Sequence, residues 1–168
     1  YSGTISASVN FEYFPYKVAD KSVNTIDIVE QIYPDYEYWQ IAKELNLLQV
    51  DEEVLYRPFE TLSNGQQTKV LLAVMFLKEN SFLLIDEPTN HLDLQAREIV
   101  SRYLNGKKGF ILVSHDRAFL DGCVDHVLSI NKTNIEIQQG NFSSWIANKT
   151  LQDNFELSEN AKLKKEIK

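Results

Sequence analysis

The 168-residue sequence is poor in glycine, cysteine and methionine, and each shortage excludes something. None of its six glycines stands in the GxxxxGKS or GxxxxGKT pattern of a phosphate-binding P-loop, so the composition excludes a self-sufficient nucleotide-binding domain. The single cysteine, Cys123, excludes an internal disulfide and a cysteine-only metal site, which fits a reducing compartment. The single methionine is internal and Tyr1 opens directly into a strand pattern, so we expect a piece of a longer protein.

Long apolar runs and an excess of positive charge are also missing. No run approaches the roughly 20 apolar residues of a membrane span and no signal peptide is visible, so we expect a cytoplasmic protein without a membrane partner. Seventeen Lys and Arg against 24 Asp and Glu give a net charge of −7, so any contact with nucleic acid has to be local. Hydrophobic residues at 43% and charged residues at 24% are typical of a globular domain.

The first 80 residues predict a small β part followed by a helical subdomain. Apolar residues alternate with polar ones over residues 4–13, which predicts a strand, with the apolar set buried, in a small antiparallel part at the N-terminus: Ile5, Ala7, Val9, Phe11 and Tyr13. The helical subdomain spans about residues 24–80. It begins with a helix over residues 26–32, capped by Thr25 and stopped by Pro34, and continues with an amphipathic helix that carries Tyr38, Ile41, Ala42, Leu45 and Leu48. Ser63 and Gln66 form a capping box that starts a third, buried helix.

Two short apolar runs predict neighbouring strands of a parallel sheet. The first run, residues 82–85, is followed by Asp86 and Glu87. The second run, residues 110–113, is followed by Ser114, His115 and Asp116, and a helical segment over residues 94–104 joins the two runs. The pattern indicates an α/β fold with a parallel core sheet and flanking helices, in which ligands bind at the carboxyl ends of the strands. Two further strands around residues 131–134 and a polar helix from residue 143 complete the chain.

The acidic pair at the end of the first run is the strongest chemical signal. One acid of such a pair can hold Mg²⁺ through water while the other orients a nucleophilic water, although two loop acids can also simply cap the next helix. His115 follows the neighbouring strand, where it can lie beside the pair and sense a phosphate, or serve the structure alone.

Taken together, these stretches resemble the nucleotide-binding domain of the ABC ATPases over essentially the whole chain. Residues 62–67, LSNGQQ, resemble the signature motif, residues 83–87 the Walker B strand with its catalytic glutamate, and residues 114–117 the switch histidine. Residues 87–93 read EPTNHLD, which is similar to the D-loop of the ABC-F subfamily. ABC-F members are proteins with two nucleotide-binding domains and no transmembrane segments, many of which act on ribosomes.

The resemblance implies a P-loop NTPase-like domain that uses ATP and Mg²⁺, with a role for each matching residue. Asp86 would hold Mg²⁺ through water, Glu87 would polarise the attacking water, and His115 would hydrogen-bond the γ-phosphate. The signature would contact nucleotide held by the opposite domain through Ser63, Asn64, Gly65 and Gln66. In the D-loop, Asn90 and Asp93 would lie at the interface between the two domains.

Three departures from the family pattern stand out. Asn64 replaces a signature glycine, and Tyr16 stands where the Q-loop usually carries glutamine, so coupling between domains is expected to differ. The Walker A loop is absent from the sequence, which implies a domain truncated at its N-terminus. Since that loop supplies most of the phosphate cradle, we expect the chain alone to be inactive.

The resemblance also implies an architecture and partners. Residues 1–142 would form part of the first nucleotide-binding domain, and residues 143–168 would begin the helical linker to a second ABC domain of the same chain. That linker would reach ribosomal RNA and transfer RNA, and the short insert with Tyr36 and Trp39 is most similar to the branch that protects ribosomes against antibiotics. The alternatives are a transporter ATPase subunit and a housekeeping translation factor of the same subfamily.

Overall fold

This computed structural model describes residues 6–131 and 134–166, with the backbone alone at residues 156 and 159–166. Its strands are β1 (Asn10–Phe14), β2 (Ser81–Asp86), β3 (Phe110–Val113), β4 (His126–Ile130) and β5 (Ile135–Gln139). Its helices are α1 (Thr25–Ile32), α2 (Tyr38–Leu47), α3 (Asn64–Leu77), α4 (Leu94–Asn105), α5 (Arg117–Cys123) and α6 (Phe142–Glu166). The chain divides into two compact units, residues 1–116 and residues 117–168.

The first unit is built on a parallel sheet with the strand order β1-β2-β3. Phe11 pairs with Phe82, and Leu84 pairs with Ile111, in ladders that both run parallel. Helix α4 connects β2 to β3, which confirms the α/β fold and the predicted crossover. In the part described, β3 lies at an edge of this sheet, with Ile111 49% and Val113 55% exposed.

The prediction for the N-terminal strand is wrong in direction and in face. Residues 10–14 join the parallel sheet, so they form no antiparallel part, and residues 1–5 lie outside the described range. Phe11 and Tyr13 are more than half exposed, whereas Phe14 is buried. The reason is that α3 packs on the other face, where Lys78 Nζ lies 2.5 Å from Glu12 Oε1. The alternation of apolar and polar residues identifies a strand, but it does not show which face of the strand another element covers.

The helical part follows the predicted order, with a corrected first cap. Asn24 is the N-cap of α1, and Thr25 is instead its first helical residue, with a hydroxyl that donates to the Arg57 carbonyl at 2.9 Å. Two short 3₁₀ turns, Glu52–Tyr56 and Phe59–Thr61, lead to α3. The capping box at α3 is confirmed, because Ser63 Oγ accepts from the Gln66 N–H at 3.2 Å and Gln66 Oε1 accepts from the Ser63 N–H at 3.0 Å.

A buried polar cluster joins α2 to α4. Glu44 is only 7% exposed, and its Oε2 accepts hydrogen bonds from the Tyr103 hydroxyl and from Lys107 Nζ, the latter at 2.5 Å. Lys107 Nζ also lies 4.7 Å from the centre of the Tyr103 ring. Burial, reinforced by the hydrogen bond to Glu44, raises the pKa of Tyr103, so the phenol keeps its proton. The cluster therefore ties the helical part to the crossover helix behind β2 and β3.

The second unit contains the two predicted strands, β4 and β5, which pair antiparallel, and the helices α5 and α6. Asp121 on α5 accepts hydrogen bonds from the backbone N–H of Ser143, at 2.7 Å, and from its hydroxyl, which anchors the start of α6. Gly140 precedes α6 with φ +129°, and a Cβ there would lie 2.5 Å from Ser144 Oγ, so this position requires glycine. Among the described helices, α6 included, none is long and apolar enough to cross a membrane.

Candidate active site

The carboxyl ends of β1, β2 and β3 meet at one edge of the parallel sheet, and the predicted chemical residues gather there. Asp86 is the last residue of β2 and Glu87 follows it. The hydroxyl of Tyr13 on β1 donates to Asp86 Oδ2 at 2.8 Å, and this bond raises the pKa of Tyr13. One carboxylate oxygen of Asp86 is thereby oriented from the neighbouring strand.

Glu87 has an unusual backbone that turns it toward the residues after β3. Its φ is +46°, in the left-handed region, which residues other than glycine adopt at a cost in conformational energy. Its N–H donates to the Val113 carbonyl at 2.8 Å, which holds this turn against the end of β3. The side chain, 20% exposed, then lies beside Ser114 and His115.

The two carboxylate oxygens of Glu87 have different surroundings. Ser114 Oγ lies 3.4 Å from Oε2 and can donate to it. His115 Nε2 lies 3.6 Å from Oε1, and the imidazole itself is 99% exposed. Oε1 is buried and has no hydrogen-bond partner within the described residues. The structure thus brings Glu87 and His115 together, as the sequence predicted. The carboxylate oxygen of Glu87 that faces His115 is a buried acceptor without a hydrogen bond from the described residues.

The signature residues lie at the start of α3 and contact the D-loop rather than the acidic pair. A Cβ placed on Gly65 would lie 3.6 Å from Leu92 Cδ2 and 3.7 Å from the His91 carbonyl oxygen. Ser63 and Asn64 are exposed. Across residues 6–131, no hydrogen bond or ion pair joins the signature residues Ser63, Asn64, Gly65 and Gln66 to Asp86, Glu87 or His115.

The remaining predicted residues have local roles in this chain. Asp93 is the N-cap of α4, where its Oδ1 accepts from the Ala96 N–H at 2.7 Å. Burial lowers the pKa of Lys69 on α3, while the nearby charge of Asp93 opposes that shift. Asn90 is exposed, and Tyr16 is half-buried in the loop after β1.

Several residues that sequence reasoning left without a role also shape the site. Tyr13 orients Asp86, and Thr89 Oγ1, which is buried, lies 3.4 Å from Ser114 Oγ. Arg97 donates to the Leu92 carbonyl at 3.0 Å and to Asp116 Oδ2 at 2.9 Å. It therefore links the D-loop to residues 114–116 after β3, which we call the switch turn. For Thr89 the available signal was the predicted parallel pairing of β2 with β3, which places the residues after these two strands side by side.

The donors present fit a magnesium ion held mainly by water and phosphate oxygens. Mg²⁺ binds through one or two carboxylates and keeps several waters in nucleotide enzymes. Asp86 offers a partly exposed carboxylate at the sheet edge. Over the described part of the chain, no group of three or more His, Cys, Asp or Glu could hold a metal by itself. Asp86 thus suits a shared site in which the nucleotide supplies further ligands.

A parallel α/β sheet with an acidic pair and a histidine at its carboxyl edge is typical of the class of nucleotide-binding domains. The family model described as ABC transporter matches residues 5–90, just over half of the chain. The chain belongs to the ABC transporter family and is part of an ATP-binding domain. Domains of this kind generally bind ATP with Mg²⁺ and hydrolyse it.

Two curated relatives illustrate the range of similarity. The chain is 34% identical over 156 residues to the protein YdiF of Bacillus subtilis, covering 89% of this chain and 24% of that protein. It is 34% identical over 102 residues to ATP-binding cassette sub-family F member 3 of Homo sapiens, covering 60% of this chain and 14% of that protein. The chain therefore spans about a quarter of the first relative and less of the second.

A solved structure shares the fold. It is described as ribosome-bound archaeal Pelota and ABCE1, and it superimposes with a TM-score of 0.61 at 25% identity, over 76% of this chain and 23% of that one. The α/β fold of an ABC nucleotide-binding domain, predicted from the sequence, is confirmed by such structures.

Proposed function

We propose that this chain is part of the first ATP-binding domain of a longer ABC-F protein, in which Glu87 is the general base for ATP hydrolysis. The observation that carries the proposal is the buried Oε1 of Glu87, an acceptor without a hydrogen-bond partner among the described residues, 3.6 Å from the Nε2 of His115. A nucleophilic water needs such an acceptor next to the phosphate that it attacks.

The neighbouring residues would divide the remaining work. Asp86 would hold Mg²⁺ through water, and the ion would neutralise charge on the phosphates. The exposed imidazole of His115 would donate a hydrogen bond to the γ-phosphate. Tyr16 stands at the Q-loop position in place of glutamine, so the coupling of the site to domain movement would differ from the family pattern.

The signature would act on nucleotide bound by the second ABC domain of the same chain. Gln66 and Gln67 donate their backbone N–H groups to Ser63, which leaves the amides of Asn64 and Gly65 for an anion at the start of α3. The exposure of Ser63 and Asn64 is consistent with contact across a domain interface, and Asn90 and Asp93 would lie along the same seam.

We further propose the domain boundaries and the setting of the full-length protein. Residues 1–142 would belong to the nucleotide-binding domain, with a helical subdomain at about residues 24–80, and residues 143–168 would begin the interdomain linker. The continuous helix Phe142–Glu166 supports the linker. Similarity to a sub-family F member and to a ribosome-bound protein supports a cytoplasmic role at the ribosome, with ribosomal and transfer RNA as partners.

The particular role we propose is antibiotic resistance by ribosomal protection. A strain that lacks the full-length protein should become hypersensitive to peptidyl-transferase drugs and grow normally without them, and the wild-type gene should restore resistance. Growth curves with and without these drugs measure the effect, and a translation inhibitor that binds elsewhere serves as the control. A translation defect without any drug would identify a housekeeping factor, and a membrane permease that co-purifies would identify a transporter subunit.

The chain by itself should bind Mg-ATP only weakly. Its sequence contains no Walker A loop, and that loop's backbone amides and lysine form most of the phosphate cradle in P-loop enzymes. Isothermal titration calorimetry of the 168 residues should give no saturable heat at micromolar ATP, while the full-length protein measured in parallel should saturate. Micromolar binding by the short chain would show that the cradle is supplied by residues within it.

A further inference from the structure

Ser114 lies at the centre of a hydrogen-bonded group that includes three other residues of the site. Its Oγ lies 3.4 Å from Glu87 Oε2, 3.4 Å from Thr89 Oγ1 and 3.1 Å from the backbone nitrogen of Asp116, which donates to it. Glu87 and Thr89 belong to the D-loop, and Asp116 belongs to the switch turn. One hydroxyl therefore joins all three.

The direction of each bond follows from the donors available. A serine hydroxyl has one proton to donate and two lone pairs that accept. The ionised carboxylate of Glu87 can only accept, so the Ser114 proton goes to Oε2. Thr89, which is 4% exposed, then donates its proton to Ser114, beside the bond from the Asp116 amide. The hydrogen bonds therefore run from the Thr89 hydroxyl to Ser114 and from the Ser114 hydroxyl to Glu87, and each hydroxyl donates its one proton once.

We propose that Ser114 is a positioning residue for the catalytic glutamate, with Thr89 as its support, an inference that rests on the proposed function. By fixing Oε2, the Ser114 hydroxyl sets the rotation of the carboxylate and leaves Oε1 facing His115, where water would be activated. The 3.4 Å separation is longer than the usual 2.7–2.8 Å, and such bonds tighten when an active site binds its substrate.

The left-handed backbone of Glu87 makes this restraint necessary. The turn at φ +46° points the side chain at the switch turn, and its N–H is held by Val113. Within the described chain, no hydrogen bond other than the one from Ser114 restrains the carboxylate itself. Without the Ser114 hydroxyl, the carboxylate can rotate away from the line between water and phosphate, which lowers the rate of chemistry while leaving nucleotide binding intact.

The test uses four variants of the full-length protein, with kcat and the Kd for Mg-ATP measured for each. Ser114→Ala should lower kcat about ten- to a hundredfold with Kd within about twofold of wild type, because a misplaced carboxylate affects only the transition state. Ser114→Thr keeps the hydroxyl, so its kcat should lie within about threefold of the wild-type kcat. Thr89→Val removes the supporting donor and should give a smaller loss than Ser114→Ala. Ser22→Ala is the matched control, since it removes a serine–carboxylate hydrogen bond to Asp20 outside the site.

The outcomes separate this inference from the proposed function. An unchanged kcat for Ser114→Ala, or a fall in kcat together with a weaker Kd that threonine does not rescue, would overturn the positioning role. A wild-type protein that hydrolyses no ATP, or that keeps its rate when Glu87 becomes Gln, would overturn the proposed function and this inference with it. Loss of activity in Glu87→Gln together with full activity in Ser114→Ala overturns only the inference.

Discussion

Replacing Glu87 by Gln in the full-length protein should lower the rate of ATP hydrolysis about a hundred- to ten-thousandfold, while Mg-ATP still binds. The carboxamide has nearly the same shape as the carboxylate and cannot take a proton from water, so general-base catalysis is lost. Steady-state release of phosphate measures the rate, and nucleotide retained on the protein after rapid gel filtration measures the binding. We expect the variant to accumulate in an ATP-bound closed state.

Glu98→Gln is the matched control for this experiment, because Glu98 is an exposed glutamate on α4. That variant should hydrolyse ATP at the wild-type rate. If Glu87→Gln also hydrolyses ATP at the wild-type rate, then Glu87 is not the base, and the free acceptor beside His115 has no catalytic meaning. A variant that loses binding as well as turnover would instead assign Glu87 to nucleotide or metal binding.

Replacing Glu44 by Ala should lower the free energy of unfolding of the chain by about 2–3 kcal/mol. The change removes the acceptor shared by Tyr103 and Lys107, and it leaves a buried phenol and a largely buried ammonium group without their partner. We place the value below the upper range for buried ion pairs because Lys107 keeps 20% exposure and thus some hydration. Urea unfolding, followed by circular dichroism and by the fluorescence of the two tryptophans, Trp39 and Trp145, measures the loss.

Two further variants show whether the lost free energy comes from this cluster. Lys43→Ala changes an exposed residue on the same helix and should cost only a few tenths of a kcal/mol. Glu44→Gln keeps an acceptor for Tyr103 and loses the charge that pairs with Lys107, so its loss should lie between those of the other two. Equal losses for Glu44→Ala and Lys43→Ala would show that the cluster contributes nothing to stability.

Much of the fold and part of the site could be predicted from the sequence because both follow from local patterns. The apolar runs before Asp86 and Ser114, joined by a helical segment, predict parallel strands by length and connection alone. Parallel strands place the residues after them at one edge, and so Glu87 and His115 meet as predicted. The capping box at Ser63 is likewise encoded within four residues.

What the sequence could not provide depends on contacts distant in the chain. The buried face of β1 is decided by α3, more than fifty residues later, so alternation alone assigned Phe11 and Tyr13 to the wrong side. The bond from Tyr13 to Asp86 spans 73 positions and follows from the same reversal, because only an outward Tyr13 meets that carboxylate. The Ser114 bonds required the left-handed φ of Glu87, for which the sequence carries no glycine signal.

The edge position of β3 has a practical consequence for the chain as a laboratory reagent. Within the described residues, β3 offers unpaired backbone groups, and Ile111 and Val113 add exposed apolar surface beside them, so we expect two copies to pair edge to edge and start aggregates. The net charge of −7 opposes this through mutual repulsion, which salt screens within about 8 Å at physiological ionic strength. We therefore expect the chain to stay monomeric longest in dilute, low-salt solutions, and calorimetry with ATP should be done under those conditions.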